Sequence, residues 1–228
     1  MQRIVVLTGA GISAESGLKT FRGNDGLWEG HDVMSVASYE GFLSNPELVL
    51  RFYNERRKQA DSALPNLGHI ALVELESKYH VDIITQNVDD LHERAGSTRV
   101  LHLHGQLSKC RSVDNSSHVM PLEDDIHLGD LGPDGSQLRP HIVWFGEEVP
   151  MISKAAALFG KADKVLIVGT SLVVYPAASL IDYAPYRIPT YVVDPNRPEI
   201  YMGNHVEFWE EPATSGVPRL VQRLLDEA

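Results

Sequence analysis

Six short apolar runs recur along the chain with helical-looking stretches between them: Ile4 to Leu7, Val81 to Thr85, Val100 to Leu103, His141 to Trp144, Lys164 to Val168 and Thr190 to Val193. A strand buried on both faces reads as a continuous apolar run, and strands that alternate with helices pair in parallel. The pattern predicts an α/β fold with a parallel sheet wrapped by helices. Ligands of such sheets bind at the carboxyl ends of the strands, so the site is expected along that edge.

With 228 residues the chain has room for one such domain carrying a smaller domain formed by two insertions. The first insertion covers about 24–66. Within it, Pro46 to Ser62 places apolar residues three and four apart among Arg and Glu, which predicts a helix. The second covers about 107–139, is rich in Ser, Asp, Gly and His, and reads as an irregular excursion or small subdomain held by turns such as Gly132-Pro133-Asp134-Gly135.

Composition narrows the partners. Twenty Lys and Arg against 31 Asp and Glu give a formal charge of −11, which repels nucleic acid and anionic membrane. A single cysteine, Cys110, excludes an internal disulfide and fits a reducing compartment. MQRIVVL lacks the apolar length of a secretory signal, and no apolar stretch approaches the roughly 20 residues needed to span a bilayer. A cytoplasmic, monomeric protein is the expectation.

Two loops then carry chemistry. Thr8-Gly9-Ala10-Gly11-Ile12-Ser13 follows the first apolar run, and its glycines would let a phosphate or ribose approach the main chain, with Ser13 and Ser16 offering hydroxyls near a helix start. The usual dinucleotide fingerprint wants a third glycine at fixed spacing, and here Gly17 comes late, so the loop alone reads equally as a tight turn. Thr85-Gln86-Asn87-Val88-Asp89 follows the second run and supplies amides and a carboxylate at a strand end. Those groups could also simply cap a strand-to-helix turn.

Taken in order, Gly9-Ala10-Gly11-Ile12-Ser13, Phe21-Arg22-Gly23, Thr85 to His92, His102-Leu103-His104-Gly105, Trp144-Phe145-Gly146-Glu147 and Gly169-Thr170-Ser171-Leu172 resemble the sirtuins, the NAD-dependent protein lysine deacylases. The resemblance runs from about residue 3 to about residue 196. It implies a Rossmann-like NAD-binding domain whose partners are acylated lysines of proteins. It further implies that nicotinamide is released and that the acyl group leaves as an acyl-ADP-ribose.

The resemblance assigns roles residue by residue. Gly9, Ala10, Gly11 and Ser13 match the cofactor loop, and Gln86, Asn87 and Asp89 match the nicotinamide-pocket and ribose residues, Asn87 being catalytic. His104, directly before glycine, matches the general base that draws a proton from a ribose hydroxyl; His102, two residues earlier, does not. Phe21 and Arg22 match a mobile loop that closes over the cofactor. Gly169, Thr170 and Ser171 match a second phosphate and ribose contact. After Val193 the family usually has asparagine, whereas this chain reads Asp194-Pro195-Asn196; Asp194 is the preferred partner for the adenosine ribose, with Asn196 the alternative.

The acylated peptide is expected to pair by its main chain between two extended segments, Val143 to Glu147 (Val143, Trp144, Phe145, Gly146) and Ser171 to Val174 (Val173). Tyr53 and Arg56, three apart in the predicted helix, resemble the pair used by the acidic-acyl branch; Arg can grip a dicarboxylic tail and Tyr adds a hydroxyl, which favours succinyl-lysine or malonyl-lysine, with acetyl-lysine still accepted because a small acyl group fits. The pattern fails in one place. Most sirtuins hold zinc with two CxxC pairs between the HG and FGE motifs, and this chain has only Cys110 there, so no metal is expected; Cys110 with His118, His127, Asp124 and Asp125 lacks paired spacing. Rival readings of the same residues are an ADP-ribosyltransferase, an NAD hydrolase, or a module that binds NAD without turnover. A dehydrogenase fits less well, because TQNVD has no role in hydride transfer.

Overall fold

Every residue from Ile4 to Thr8 is fully buried, so the first strand must lie at the middle of a covered sheet. The computed structural model describes residues 1–19, 27–198 and 205–228. Its main sheet has the order Val206–Trp209, Thr190–Val193, Lys164–Val168, Arg3–Thr8, His80–Thr85, Val100–His102, with every neighbouring pair parallel.

Alternation along each strand feeds two cores. Ile4, Val6, Val81, Ile83, Leu166 and Val168 face Leu72, Leu75, Val217, Leu220, Val221 and Leu224 on the helices Leu67–Leu75 and Ala213–Asp226. Val5, Leu7, Ile84, Val165 and Ile167 face Ala155 and Phe159 of Ile152–Phe159 and Leu180 of Ala177–Tyr183. Helices on both faces of a parallel sheet are the α/β architecture that the apolar runs predict.

One expectation about strands needs correction and one strand is new. The run His141 to Trp144 is not in the parallel sheet: His141 and Ile142 end the strand Leu138–Ile142, which pairs antiparallel with Gly105–Ser112. An apolar run fixes burial but not the direction of its neighbour. Conversely, Val206–Trp209 is an edge strand that the runs did not reveal, since Glu207 interrupts it and only one side is paired.

The region 107–139 is more ordered than an irregular excursion. Gly105–Ser112, Val119–Pro121 and Leu138–Ile142 form a three-stranded antiparallel sheet. Gly135 N–H donates to the Gly132 carbonyl at 2.9 Å, closing the expected turn. The predicted helix Pro46–Ser62 has those bounds, with Asn45 capping Leu48 N–H and proline in its first turn. Its Val49, Leu50, Phe52 and Tyr53 share a core with Leu107, Cys110 and Ile142 of this sheet and with Ile126 of the connecting loop.

Polar contacts reinforce that lobe. The buried Asn54 amide donates to the Ile126 carbonyl at 2.9 Å and accepts from Ile126 N–H at 3.0 Å. Arg57 and Lys58 both hold Asp125, at 2.9 and 2.6 Å. Cys110 is buried, and among the described residues no group of three or more His, Cys, Asp or Glu is arranged to hold a metal ion. No helix among the described residues is long and apolar enough to cross a membrane.

Candidate active site

The carboxyl ends of three adjacent strands meet one cavity. Gly9 has an ordinary extended conformation, φ −124°, so it is not glycine for the sake of backbone angles. Proximity is the reason: a Cβ on Gly9 would lie 2.7 Å from the Gly169 carbonyl oxygen, and one on Gly11 would lie 2.6 Å from Gly169 Cα. Gly11 N–H donates to that same carbonyl at 2.8 Å. The close approach of the neighbouring loop by itself requires glycine at 9 and 11, and Gly9, Ala10, Gly11, Gly169, Thr170 and Ser171 line the cavity together.

The second loop is locked to the first through Ser13. Its buried hydroxyl accepts from the Asn87 amide at 3.1 Å and donates to Asp89 Oδ2 at 3.1 Å. His69 Nδ1 accepts from Asn66 N–H at 3.3 Å, which leaves the hydrogen on Nε2, 3.5 Å from the Ser13 oxygen. Burial pushes Asp89 above the usual carboxylate range, with the Leu91 N–H and Ser13 bonds working against it. Gln86 donates to Thr170 Oγ1 at 3.0 Å, bridging to the third strand end.

The two histidines of the HxH stretch separate clearly. His102 is tied at both nitrogens, Nε2 to Glu93 at 2.7 Å and Nδ1 to the Asn87 carbonyl at 3.1 Å. His104 Nδ1 lies 3.1 Å from the Gln86 carbonyl, and a carbonyl can only accept, so the neutral ring carries its hydrogen on Nδ1 and a lone pair on Nε2. Burial holds the His104 imidazole below its ordinary pKa, although the Gln86 bond opposes this. His104 lines the cavity.

On the far side, Tyr53, Arg56, Val143, Trp144, Phe145 and Gly146 line the same cavity. Tyr53 and Arg56 are both buried, and the Tyr53 ring lies 6.1 Å from Trp144. Burial raises the Tyr53 phenol far above its ordinary value, so it stays protonated. Arg56 donates to Glu29 at 3.2 Å and its guanidinium lies 5.0 Å from the Trp28 ring. The Val143 to Glu147 segment is largely spoken for: the N–H groups of Val143, Trp144, Phe145 and Glu147 donate to the His104 carbonyl, the Glu147 side chain, the Ala37 carbonyl and the Trp144 carbonyl.

Three expected residues stand apart from the cavity lining. Asp194 is buried at the end of Thr190–Val193, where it accepts from Asn196 N–H at 2.8 Å, and neither residue lines the cavity. Val173 is exposed, while its neighbour Val174 lines the cavity. Phe21 and Arg22 lie outside the described residues.

A model of the Sir2 family matches residues 9–176. The chain belongs to that family. It is 52% identical over 228 residues to an NAD-dependent protein deacylase of Helicobacter pylori (strain ATCC 700392 / 26695), covering 100% of both chains. It is 48% identical to an NAD-dependent protein deacylase of Bacteroides thetaiotaomicron, covering 99% of each. A crystal structure of a Sir2 homolog–NAD complex superposes with a TM-score of 0.88 at 37% identity, covering 99% of this chain and 90% of that one.

As a Sir2-family site, the cavity has a donor set suited to NAD: a floor of two glycine loops without bulky side chains, the Gln86 and Asn87 amides, and the buried Asp89 carboxylate. Sequence reasoning did not single out His69, Lys19, Trp28 or Glu29. His69 had a readable signal, because Asn66 and His69 stand at the spacing of a helix capping box, which the structure contains. Glu29 had none, since nothing local ties it to Arg56.

Proposed function

We propose that this Sir2-family enzyme removes acyl groups from protein lysines with NAD as its cofactor and one water consumed per turnover, acts on succinyl-lysine and malonyl-lysine in preference to acetyl-lysine, and yields nicotinamide, free lysine and O-acyl-ADP-ribose. The observation that carries this reading is that the His104 imidazole, with its Nε2 lone pair left over by the Gln86 bond, shares one cavity with the Asn87–Asp89 loop and the Tyr53–Arg56 pair.

When bound, NAD supplies a ribose carbon that becomes electrophilic as nicotinamide departs. Gly9, Ala10, Gly11, Gly169, Thr170 and Ser171 would hold its phosphates and ribose, and Gln86, Asn87 and Asp89 its nicotinamide end. Asp194 or Asn196 would serve the adenosine ribose through the adjoining strand end, and Phe21 and Arg22 would cover the cofactor. Ser13 orients Asn87 and Asp89 together, so that the amide and carboxylate are presented without reorganisation.

His104 Nε2 would accept a proton from a ribose hydroxyl of the bound cofactor, a role that needs the neutral ring that burial favours. Arg56 provides the charge for a dicarboxylic acyl tail and Tyr53 a permanently protonated hydroxyl. The peptide main chain would lie between 143–147 and 171–174. With four N–H groups of 143–147 already used, that side offers chiefly carbonyls and Gly146.

A side-by-side assay of succinyl, malonyl and acetyl peptides of one sequence tests the reading. The acidic acyl peptides should have the higher kcat/KM, and Arg56→Met should lower it about 10- to 100-fold for them and less than about threefold for the acetyl peptide. Equal losses on all three would overturn the acyl preference.

A further inference from the structure

Arg56 already carries a carboxylate. Glu29 Oε1 sits 3.2 Å from Arg56 Nη1, and its Oε2 sits 2.8 Å from Lys19 Nζ. Glu29 therefore bridges two cations that both line the cavity. The two are unequal: the Arg56 side chain is 9% exposed and that of Lys19 is 75% exposed.

The contact to Arg56 is also incomplete. Glu29 meets one terminal nitrogen at a long distance, whereas a carboxylate that matches guanidinium engages two N–H groups in parallel. Among the described residues Arg56 Nε is buried and has no hydrogen-bond partner. A buried donor left unpaired favours any ligand that can satisfy it.

The backbone at Glu29 is unusual for its residue type. Leu27–Trp28 and His31–Asp32 pair antiparallel, so Glu29 and Gly30 form a two-residue turn, with φ of 52° and 82°. Such turns require positive φ at both central residues and favour Asn or Asp followed by Gly. Glu in the left-handed region is disfavoured, so this carboxylate is held on Arg56 at a conformational cost.

We propose that Glu29 is a specificity-determining residue: it occupies Arg56 when no acidic acyl group is present, and a dicarboxylic acyl tail displaces it onto Lys19. This rests on the reading of Arg56 as the acyl-carboxylate ligand. Glu29 keeps Arg56 neutralised in the empty cavity, and by competing for it imposes a cost that a dicarboxylic tail must overcome and an acetyl group never meets. Acetyl-lysine gains nothing from the exchange.

The test is steady-state kinetics of Glu29→Gln and of Glu29→Asn, the latter because Asn suits the left-handed turn. Both variants should lower KM for a succinyl peptide about threefold to tenfold and raise the succinyl-to-acetyl ratio of kcat/KM by a similar factor, with kcat for the succinyl peptide changing less than about twofold. A merely structural residue would shift both substrates together. An unchanged ratio, or a higher succinyl KM, overturns the competition. Arg56→Met run in parallel separates the two ideas: if it lowers the ratio while the Glu29 variants do not, only the role of Glu29 is lost; if it leaves the ratio unchanged, the acyl-pocket reading is lost with it.

Discussion

The guanidinium of Arg139 lies 3.3 Å from the centre of the Trp144 ring while holding Glu147 at 2.6 and 3.0 Å. Arg139 is 1% exposed, and the Trp144 it supports packs 5.2 Å from Phe42 and 6.1 Å from Tyr53. One buried cation thus ties the small antiparallel sheet to the wall of the cavity. Arg139→Met would leave Glu147 without its main partner and should cost about 2–4 kcal/mol in urea unfolding. Arg139→Lys, which keeps charge but loses the planar fork, should fall between the wild type and Arg139→Met. Wild-type stability for Arg139→Met would refute the role of this pair.

His104 should set the acid limb of the rate profile. The active form is the neutral ring, and burial lowers the pKa from 6.5, so activity is lost only as pH falls below that value. A plot of kcat/KM for an acyl peptide against pH should show a single acid-side midpoint below 6.5. His104→Ala should lower kcat/KM by about 10²–10⁴-fold while ADP-ribose binding, measured by calorimetry, stays within about threefold of wild type. A midpoint well above 6.5 would contradict the assignment.

How much of this was readable in the chain depends on the range of the interaction. Strand runs and the Pro46–Ser62 helix were legible because burial periodicity is local. The strand direction at His141 and Ile142, the edge strand Val206–Trp209, and the close approach of Gly169 to Gly9 and Gly11 were not, because each depends on a neighbour distant in sequence. That the two loops and His104 lie at one cavity was legible through family resemblance. The Glu29–Arg56 contact, spanning 27 residues, appears only once a turn and a helix have been placed side by side.

His69 should make the fold sensitive to mild acid. It is fully buried, and desolvation lowers its pKa to about 4. The unfolded imidazole binds a proton near 6.5, so the unfolded state holds more protons between pH 6.5 and 4. Stability is therefore complete above 6.5 and declines as pH falls towards 4, by on the order of 2–3 kcal/mol from this residue. In His69→Gln the slope of unfolding free energy over that interval should be correspondingly shallower, whatever the absolute stability. An identical slope would rule the linkage out.

The small lobe should be held by packing and by Asn54 rather than by a metal. Asn54→Ala strands the buried Ile126 N–H and carbonyl and should lower stability by about 2–4 kcal/mol. Dialysis against a strong chelator should leave the Tm unchanged within about 1 °C, since metal loss from a structural site costs far more. A large chelator-induced drop would show that some ion does hold the lobe.

The most direct test of the central claim is product stoichiometry. Purified protein incubated with NAD and a succinyl peptide should release nicotinamide, free-lysine peptide and succinyl-ADP-ribose in equal amounts by mass detection. Nicotinamide accompanied only by ADP-ribose, by an ADP-ribosylated protein, or by no change in the peptide would contradict it.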